Sequence, residues 1–349
     1  WAFPVVTRDC DLVDVPSLHP GPVFNVSKRF IARIDGDETC HVHEAYVVGD
    51  SDLDGTVEFG VRCLVGYPGK GKLLLFDGHG RELLTPADAT TALEFGGLSG
   101  AVTFAPISGL GVTDVIIHQL GGPWPLLVVP LPAPAGSYPA SALAVADLYK
   151  VVPGGHPAVA DFDADGLSDL VLTDAVPLGA FPDLFRGGVS IFRGPLLGGF
   201  DINDAWAWFE MSDLDAWSAP GFEEYSGDID SPLTGDLDGN GRLDLLLGGL
   251  RMVDIAPNLG SYTDHHGGAA LFLNVDSGGH EACDAQVIIY GTCYSYLGGN
   301  SVAVGDVTGD GMADLALGGA RTSVPPYGDR GAIFIFSGLH QQQGYLSAA

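Results

Sequence analysis

Three observations in this chain of 349 residues predict an all-β fold assembled from small repeated sheets. A nine-residue acidic loop recurs along the sequence. Short apolar runs of strand length bracket each copy. The 51 Gly and 23 Pro leave few stretches in which a helix could run for three turns. The loops begin at residues 50, 106, 161, 236 and 306, spaced 55 to 75 residues apart. A period of that size, with three or four strands per unit, describes the blades of a β-propeller, whose radial packing protects sheet edges. Counting repeats gives about six blades. The expected organisation is one domain over 1–349, with clear repeats over 45–338 and an insertion at 195–232.

The loop first occurs in full as Asp50-Ser-Asp52-Leu-Asp54-Gly55-Thr-Val-Glu58. Tyr46-Val-Val-Gly49 leads in, and Phe59-Gly-Val and Lys72-Leu-Leu-Leu-Phe follow. The copy at Pro106-Ile-Ser108-Gly-Leu110-Gly111-Val-Thr-Asp114 keeps the glycine and the last aspartate but loses acidic residues at positions 1 and 5. It is expected to make the same turn without metal. The remaining copies carry Asp161, Asp163, Asp165 and Asp169; Asp236, Asp238, Asn240 and Asp244; and Asp306, Thr308, Asp310 and Asp314. Pro157-Ala-Val-Ala, Leu245-Leu-Leu-Gly and Gly331-Ala-Ile-Phe-Ile-Phe are among the flanking apolar runs. A weaker sixth copy is read at Asp9-Cys-Asp11-Leu-Val-Asp14.

Oxygen ligands at positions 1, 3, 5 and 9, with Gly at 6, wrap around one hard cation, and calcium is the natural occupant. Position 7 adds a backbone carbonyl from Thr56, Leu167, Arg242 or Met312. The expectation is about four structural Ca²⁺ ions, with the loop at 306 weaker because Thr308 is neutral. An EF-hand array would need a carboxylate at position 12 and flanking helices. Leu172 and Leu247 stand there instead, among β-like flanks.

The run Ser301-Val-Ala-Val-Gly-Asp-Val-Thr-Gly-Asp-Gly-Met-Ala-Asp-Leu-Ala-Leu-Gly-Gly-Ala320, with the later Gly331-Ala-Ile-Phe-Ile-Phe-Ser-Gly338, resembles FG-GAP repeats. Such repeats build the propeller head of integrin alpha subunits, and this chain is also similar to calcium-bearing propeller lectins. The resemblance implies calcium between adjacent strands of a blade and favours seven blades over six. It implies adhesion, sugar binding or an enzyme-accessory role without choosing among them.

Formal charge is −29, from 15 Lys plus Arg against 44 Asp plus Glu. Such a surface repels phosphate backbones and anionic membranes, so no nucleic-acid partner is expected. The most apolar long stretch, Pro123 to Ala146, is interrupted by prolines and reads as strands and loop, not a membrane span. The chain begins at Trp1, which fits removal of a leader peptide or a trimmed chain, and points to a secreted or cell-surface protein. Among five cysteines, Cys40 with Cys63 and Cys283 with Cys293 are candidate pairs, leaving Cys10 odd.

The candidate ligand surface is Trp206, Trp208, Trp217 and Tyr225, interspersed with carboxylates; aromatic rings stack on sugars or peptides, and carboxylates accept hydroxyl hydrogen bonds. Arg251, Tyr262, Asp264, His265 and His266 form a second patch, of a composition suited to uronate elimination. No hydrolase elbow or phosphate loop is present, and no catalytic residue is assigned. The reading is an extracellular calcium-stabilised propeller that binds a glycan or a protein. The alternatives are a structural subunit of a surface assembly, by self-assembly or in a larger complex, and a polysaccharide lyase.

Overall fold

The computed structural model describes residues 33–38, 40–65, 70–78, 83–96, 101–119, 126–149, 157–173, 188–210, 231–248, 268–281, 284–290, 297–310, 312–319, 331–337 and 344–347. The protein is nearly all β. Four five-stranded sheets and one three-stranded sheet follow one another along the chain, preceded by a two-stranded pair.

Each of the five sheets contains an antiparallel meander whose first hairpin is closed by one of the nine-residue loops, acidic in all but the second sheet. In the first sheet, His41–Gly49 pairs with Glu58–Val65, then Lys70–Phe76 and Thr91–Phe95. The second runs Val102–Ala105, Asp114–His118, Leu126–Pro130, Ala146–Tyr149. The third runs Ala158–Ala160, Asp169–Thr173, Gly188–Phe192, Ala207–Glu210. The fourth runs Ser231–Gly235, Asp244–Gly248, Gly268–Phe272, Val287–Tyr290. The fifth has Leu297–Gly305, Asp314–Gly319 and Ala332–Phe336.

The fifth strand of each larger sheet comes from further along the chain and lies parallel. Gly136–Pro139 leaves the second sheet to pair with Thr91–Phe95 of the first. Gly198–Asp201 pairs with Ala146–Tyr149, Gly278–Glu281 with Ala207–Glu210, and Gly344–Ser347 with Val287–Tyr290. The segment after the third strand of each sheet thus stitches onto the outer edge of the sheet before it. Leu83–Leu84 does the same to Arg33–Ile34. Gly198–Asp201 and Ala207–Glu210 are therefore regular members of sheets, although the sequence pattern suggested an insertion over 195–232. The bulky Trp206, Trp208 and Phe209 disguise a fourth strand there.

The middle strands are buried on both faces, which is why they read as continuous apolar runs and not as alternating ones. Asp244–Gly248 shows the arithmetic. Leu245 and Leu247 pack with Val171, Val189, Ile191 and Phe209 of the third sheet. Leu246 points the other way, to Leu315 and Leu317 of the fifth. Leu73 and Leu75 likewise meet Val115, Ile117 and Val129, while Ile116 and Val128 meet Leu170 and Leu172. The sheets therefore stack face to face in chain order. Their first strands approach one another, Ala158–Ala160 next to Ser231–Gly235 and the latter next to Leu297–Gly305.

The free face of the first sheet is closed differently. Val61, Cys63, Leu74 and Phe76 pack with Cys40 and Leu84, and Cys40 is disulfide-bonded to Cys63. That is one of the two pairs suggested by the sequence; Cys10, Cys283 and Cys293 lie outside the described residues. Among the described residues no helix is long and apolar enough to cross a membrane.

Phe209 is fully buried between two sheets, its ring 4.7 Å from both Phe272 and His280. Phe209→Ala is expected to destabilise the protein by about 3–5 kcal/mol in denaturant unfolding, because the stacked sheets cannot collapse into the space. The Cys40–Cys63 crosslink closes a loop of 23 residues. Replacing both cysteines by alanine should lower the unfolding free energy by about 3 kcal/mol, the worth of closing a chain of that length.

Candidate metal centre

The acidic loops fold through their own side chains. In the loop at 161, Asp161 accepts from the N–H groups of Asp165 (3.1 Å) and Gly166 (2.9 Å). Asp163 accepts from Asp165 N–H at 3.2 Å, and Asp165 from Leu167 N–H at 2.8 Å. The loop at 236 repeats the pattern, with Asp236 receiving Asn240 and Gly241, and Asn240 receiving Arg242. These bonds curl the chain so that in the loop at 161 the acids of positions 1, 3 and 9 come together, while Asp165 at position 5 stays outside that group. Two residues are left-handed in each of the loops at 50, 161 and 236. Position 6 is Gly55, Gly166 or Gly241, with φ of 92°, 87° and 85°. Position 4 is Leu53 or Ala164, with φ of 61° and 57°, or Gly239 and Gly309. Its left-handed turn was not read from the sequence, because side chains stand there in two copies.

The ninth-position aspartate is a clamp. Asp169 is buried and accepts from Phe162 N–H at 2.8 Å and from Gly194 N–H, beyond the third strand, at 3.0 Å. Asp244 accepts from Leu237 (2.7 Å), Asp238 (3.2 Å) and Asn274 (2.9 Å). Asp314 takes Val307 and Thr308, each at 2.8 Å. Asp114, in the copy that lost its other acids, takes Ile107 N–H, Ser108 N–H and the Ser108 hydroxyl. The clamp seats the second residue of the loop, so that Ile107, Phe162 and Leu237 enter the core. Burial pushes the carboxyls of Asp169 and Asp244 above the usual range, and the backbone donors only partly offset this.

The first loop gives the strongest test of whether a cation fits. Asp50, Asp52, Asp54 and Glu58 each bring one oxygen to within 4.8 Å of the others. Ser51 N–H occupies one oxygen of Glu58, at 2.6 Å. Glu58 is only 9% exposed, and its Oε1, like Oδ1 of Asp50, is buried without a hydrogen-bond partner. Buried acceptors left so are costly. A hard cation satisfies both at once, and the all-oxygen donor set is that of calcium. Asp161 with Asp163 and Asp169, and Asp236 with Asp238 and Asp244, form two further groups of the same closeness. Asp306, Asp310 and Asp314 form no such group among the described residues.

Residues 298–336, the span of the fifth sheet, match the family model of the FG-GAP repeat. That segment of the chain is therefore similar to an FG-GAP repeat. No curated protein matches it.

The acidic loops at 50, 161 and 236 also receive a side chain from just beyond the third strand, a contribution not foreseen from sequence. Asp77 lies beside the first loop, 3.4 Å from the Thr56 hydroxyl. Arg193 donates to Asp163 at 2.8 Å. Asn274 bonds Asn240 at 2.6 Å and Asp238 at 3.3 Å. The recurring Phe at the end of that strand, in Phe76-Asp77, Phe192-Arg193 and Phe272-Leu-Asn274, marks the position.

The aromatic surface is divided. Trp206 is half-buried against the core between the third and fourth sheets, with the Arg193 guanidinium 4.5 Å over its ring. The Trp208 ring lies against the Gly279 backbone, where an added Cβ would stand 2.9 Å from it. That contact keeps Trp208 as packing for the stitched strand. Trp217 and Tyr225 lie outside the described residues, as do Arg251, Tyr262, Asp264, His265 and His266. A His, Tyr and Arg do converge elsewhere. Buried Arg62 bonds Glu44 at 3.0 Å and His43 at 2.7 Å, and the Tyr46 hydroxyl donates to Glu44. A register shift at His43 turns successive residues onto one guanidinium. Burial raises the Tyr46 hydroxyl well above its usual range. That holds it neutral, which suits a structural bond and not proton abstraction.

Two variants separate clamp from cation. Asp114→Ala leaves buried N–H donors without an acceptor and is expected to destabilise by about 1–3 kcal/mol per stranded donor. The loss should be equal in calcium and in chelator. Gly166 has open space where a Cβ would stand, so only its φ of 87° opposes a side chain. Gly166→Ala should therefore cost about 1–2 kcal/mol by denaturant titration.

Proposed function

We propose that the protein is an extracellular β-propeller, held rigid by calcium at its acidic loops, whose task is to bind a glycan. The observation that carries the calcium reading is the pair of buried, unpartnered oxygens on Asp50 and Glu58, within a group of four carboxylates. The loops at 161 and 236 supply the next two ions, and the loop at 306, with Thr308, the weakest. Clustered carboxylates repel one another until a cation joins them, so ion binding and folding are coupled.

The stacking of sheets in chain order, with their first strands side by side, supports the propeller reading. Arg33–Ile34 receives a stitched strand as the fourth strands of the sheets do. It belongs, on this reading, to a unit beyond the five sheets, and six blades is the count that follows. FG-GAP repeats are commonly extracellular, and the Cys40–Cys63 disulfide suits an oxidising compartment.

A second reading, a subunit of an extracellular assembly, rests on the outer face of the fifth sheet and the adjoining loop at 306. Ile333 is 75% exposed, Ile335 57% and Val307 63%, whereas the equivalent faces of earlier sheets are covered. Exposed apolar faces of this kind mark contact surfaces.

Differential scanning calorimetry tests the calcium reading. Calcium at a hundred times its dissociation constant should stabilise by about 2.7 kcal/mol per occupied site. Asp50→Asn combined with Glu58→Gln should remove one site's share. A melting temperature indifferent to calcium and chelator would sink the proposal. For the glycan reading, array binding should need calcium and fall in the Trp206→Ala variant. Self-association through the Ile333 face, abolished by Ile333→Asp, would favour the assembly instead.

A further inference from the structure

A cleft of about 410 Å³ lies between the loops at 161 and 236, where the third and fourth sheets meet. Its size is that of a small-ligand site. The charged residues lining it are Asp161, Asp163, Arg193, Arg242 and Asp276, with Trp206 beneath Arg193. Two arginines in one cleft are notable in a chain with 15 basic residues against 44 acidic ones. Both are held by carboxylates: Arg193 by Asp163 at 2.8 Å, Arg242 by Asp276 at 3.1 Å.

The Arg193 contact falls on a decisive atom. Asp163 Oδ1 accepts from the Asp165 backbone, and Oδ2, its other oxygen, is the atom that Arg193 holds. Asp163 also belongs to the carboxylate group suited to a cation. A divalent ion and the guanidinium therefore compete for one carboxylate. Among the lining side chains the acids outnumber the bases by one, so a divalent ion reverses the sign of the cleft from negative to positive.

We propose that Arg193 couples the second acidic loop to this cleft, such that calcium frees its guanidinium to bind, with Arg242, the carboxylate of an acidic sugar. The proposal rests on the calcium-and-glycan reading above and names the ligand class for one site. A single carboxylate on an otherwise neutral sugar is favoured, since the strongly acidic surface repels polyanions. The Arg193 guanidinium lies over the Trp206 ring, so once freed it remains supported by the ring and stays in the cleft.

The test uses Arg193→Gln in the full chain, with two probes. Terbium stands in for calcium, its luminescence sensitised by Trp206 and taken as the part lost in Trp206→Phe. A glucuronate-terminated disaccharide, against its neutral glucose counterpart, is titrated in calcium and in chelator. Arg193→Gln should raise terbium affinity at this loop by up to about fivefold, the worth of an exposed ion pair. The same variant, and Arg242→Gln, should lose binding of the acidic disaccharide, which the parent protein should bind only with calcium present. Opposite effects of one substitution on two ligands cannot come from general unfolding. Unchanged or reduced terbium affinity overturns the coupling. An acidic disaccharide that fails to bind, binds no better than the neutral one, or binds equally in chelator overturns the ligand assignment. Should calcium leave the melting temperature unmoved, the calcium reading itself has failed; should calcium stabilise the fold while Arg193→Gln changes neither titration, only this inference falls.

Discussion

A carboxylate buried at the ninth position of each loop must find its donors inside the protein, and this requirement organises the repeat. Asp169 reaches back to Phe162 N–H and across to Gly194 N–H, so one side chain joins the hairpin loop to the segment beyond the third strand. Asp244 makes the same two connections through Leu237 and Asn274. Drawing in the second residue of the loop plants an apolar plug, Phe162 or Leu237, in the cluster shared with the next sheet. Loop shape, hairpin register and contact between sheets thus depend on one hydrogen-bonded carboxylate.

Stacking supplies the second constraint. A sheet whose middle strands are apolar on both faces has no stable existence alone, and each must be covered by its neighbours. Here the coverage is reinforced at the outer edge, where each of the first four sheets receives a parallel strand from its successor. Consecutive units are therefore joined by packed side chains, by backbone hydrogen bonds and by their loops. Pro195 sits against Gly109, and the Met312 sulfur 3.3 Å from where a Cβ would stand on Gly239. The acidic loops are held in a row by this arrangement, which makes a cleft between two of them a property of the fold.

Much of this was legible in the sequence because the loop needs particular residues at fixed spacing. Positions 1, 3, 5 and 9 identified the hairpins, and the apolar runs located the middle strands. The stitched strands were not legible. They are four residues long, as in Gly278–Glu281, lie at an exposed edge and carry no apolar alternation. Their pairing is with a unit distant in sequence, so no local pattern demands it. Trp206 and Trp208 misled for a related reason: just before and within the strand Ala207–Glu210, their bulk looks like a departure from the repeat. At the loops, spacing alone could not divide the acids into those that clamp backbone and those with an oxygen to spare. Glu58 and Asp50 are the acids of the first loop with such a spare buried oxygen.

The loop at 106 shows what the acids at the other positions are not for. It keeps the clamp, buries Ile107 and closes its hairpin with Pro106 and Leu110 where the other loops carry acids. Repulsion among carboxylates is absent there, and the sheet around it is as fully packed as its neighbours. Clustered acids are thus no requirement of the fold; they raise the energy of a loop that would close without them. A feature that destabilises until a cation joins it makes the stability of that loop depend on the surrounding ion. On the proposed reading, the rim of acidic loops gives a rigid scaffold a calcium-dependent face, while the loop at 106 holds the ring regardless.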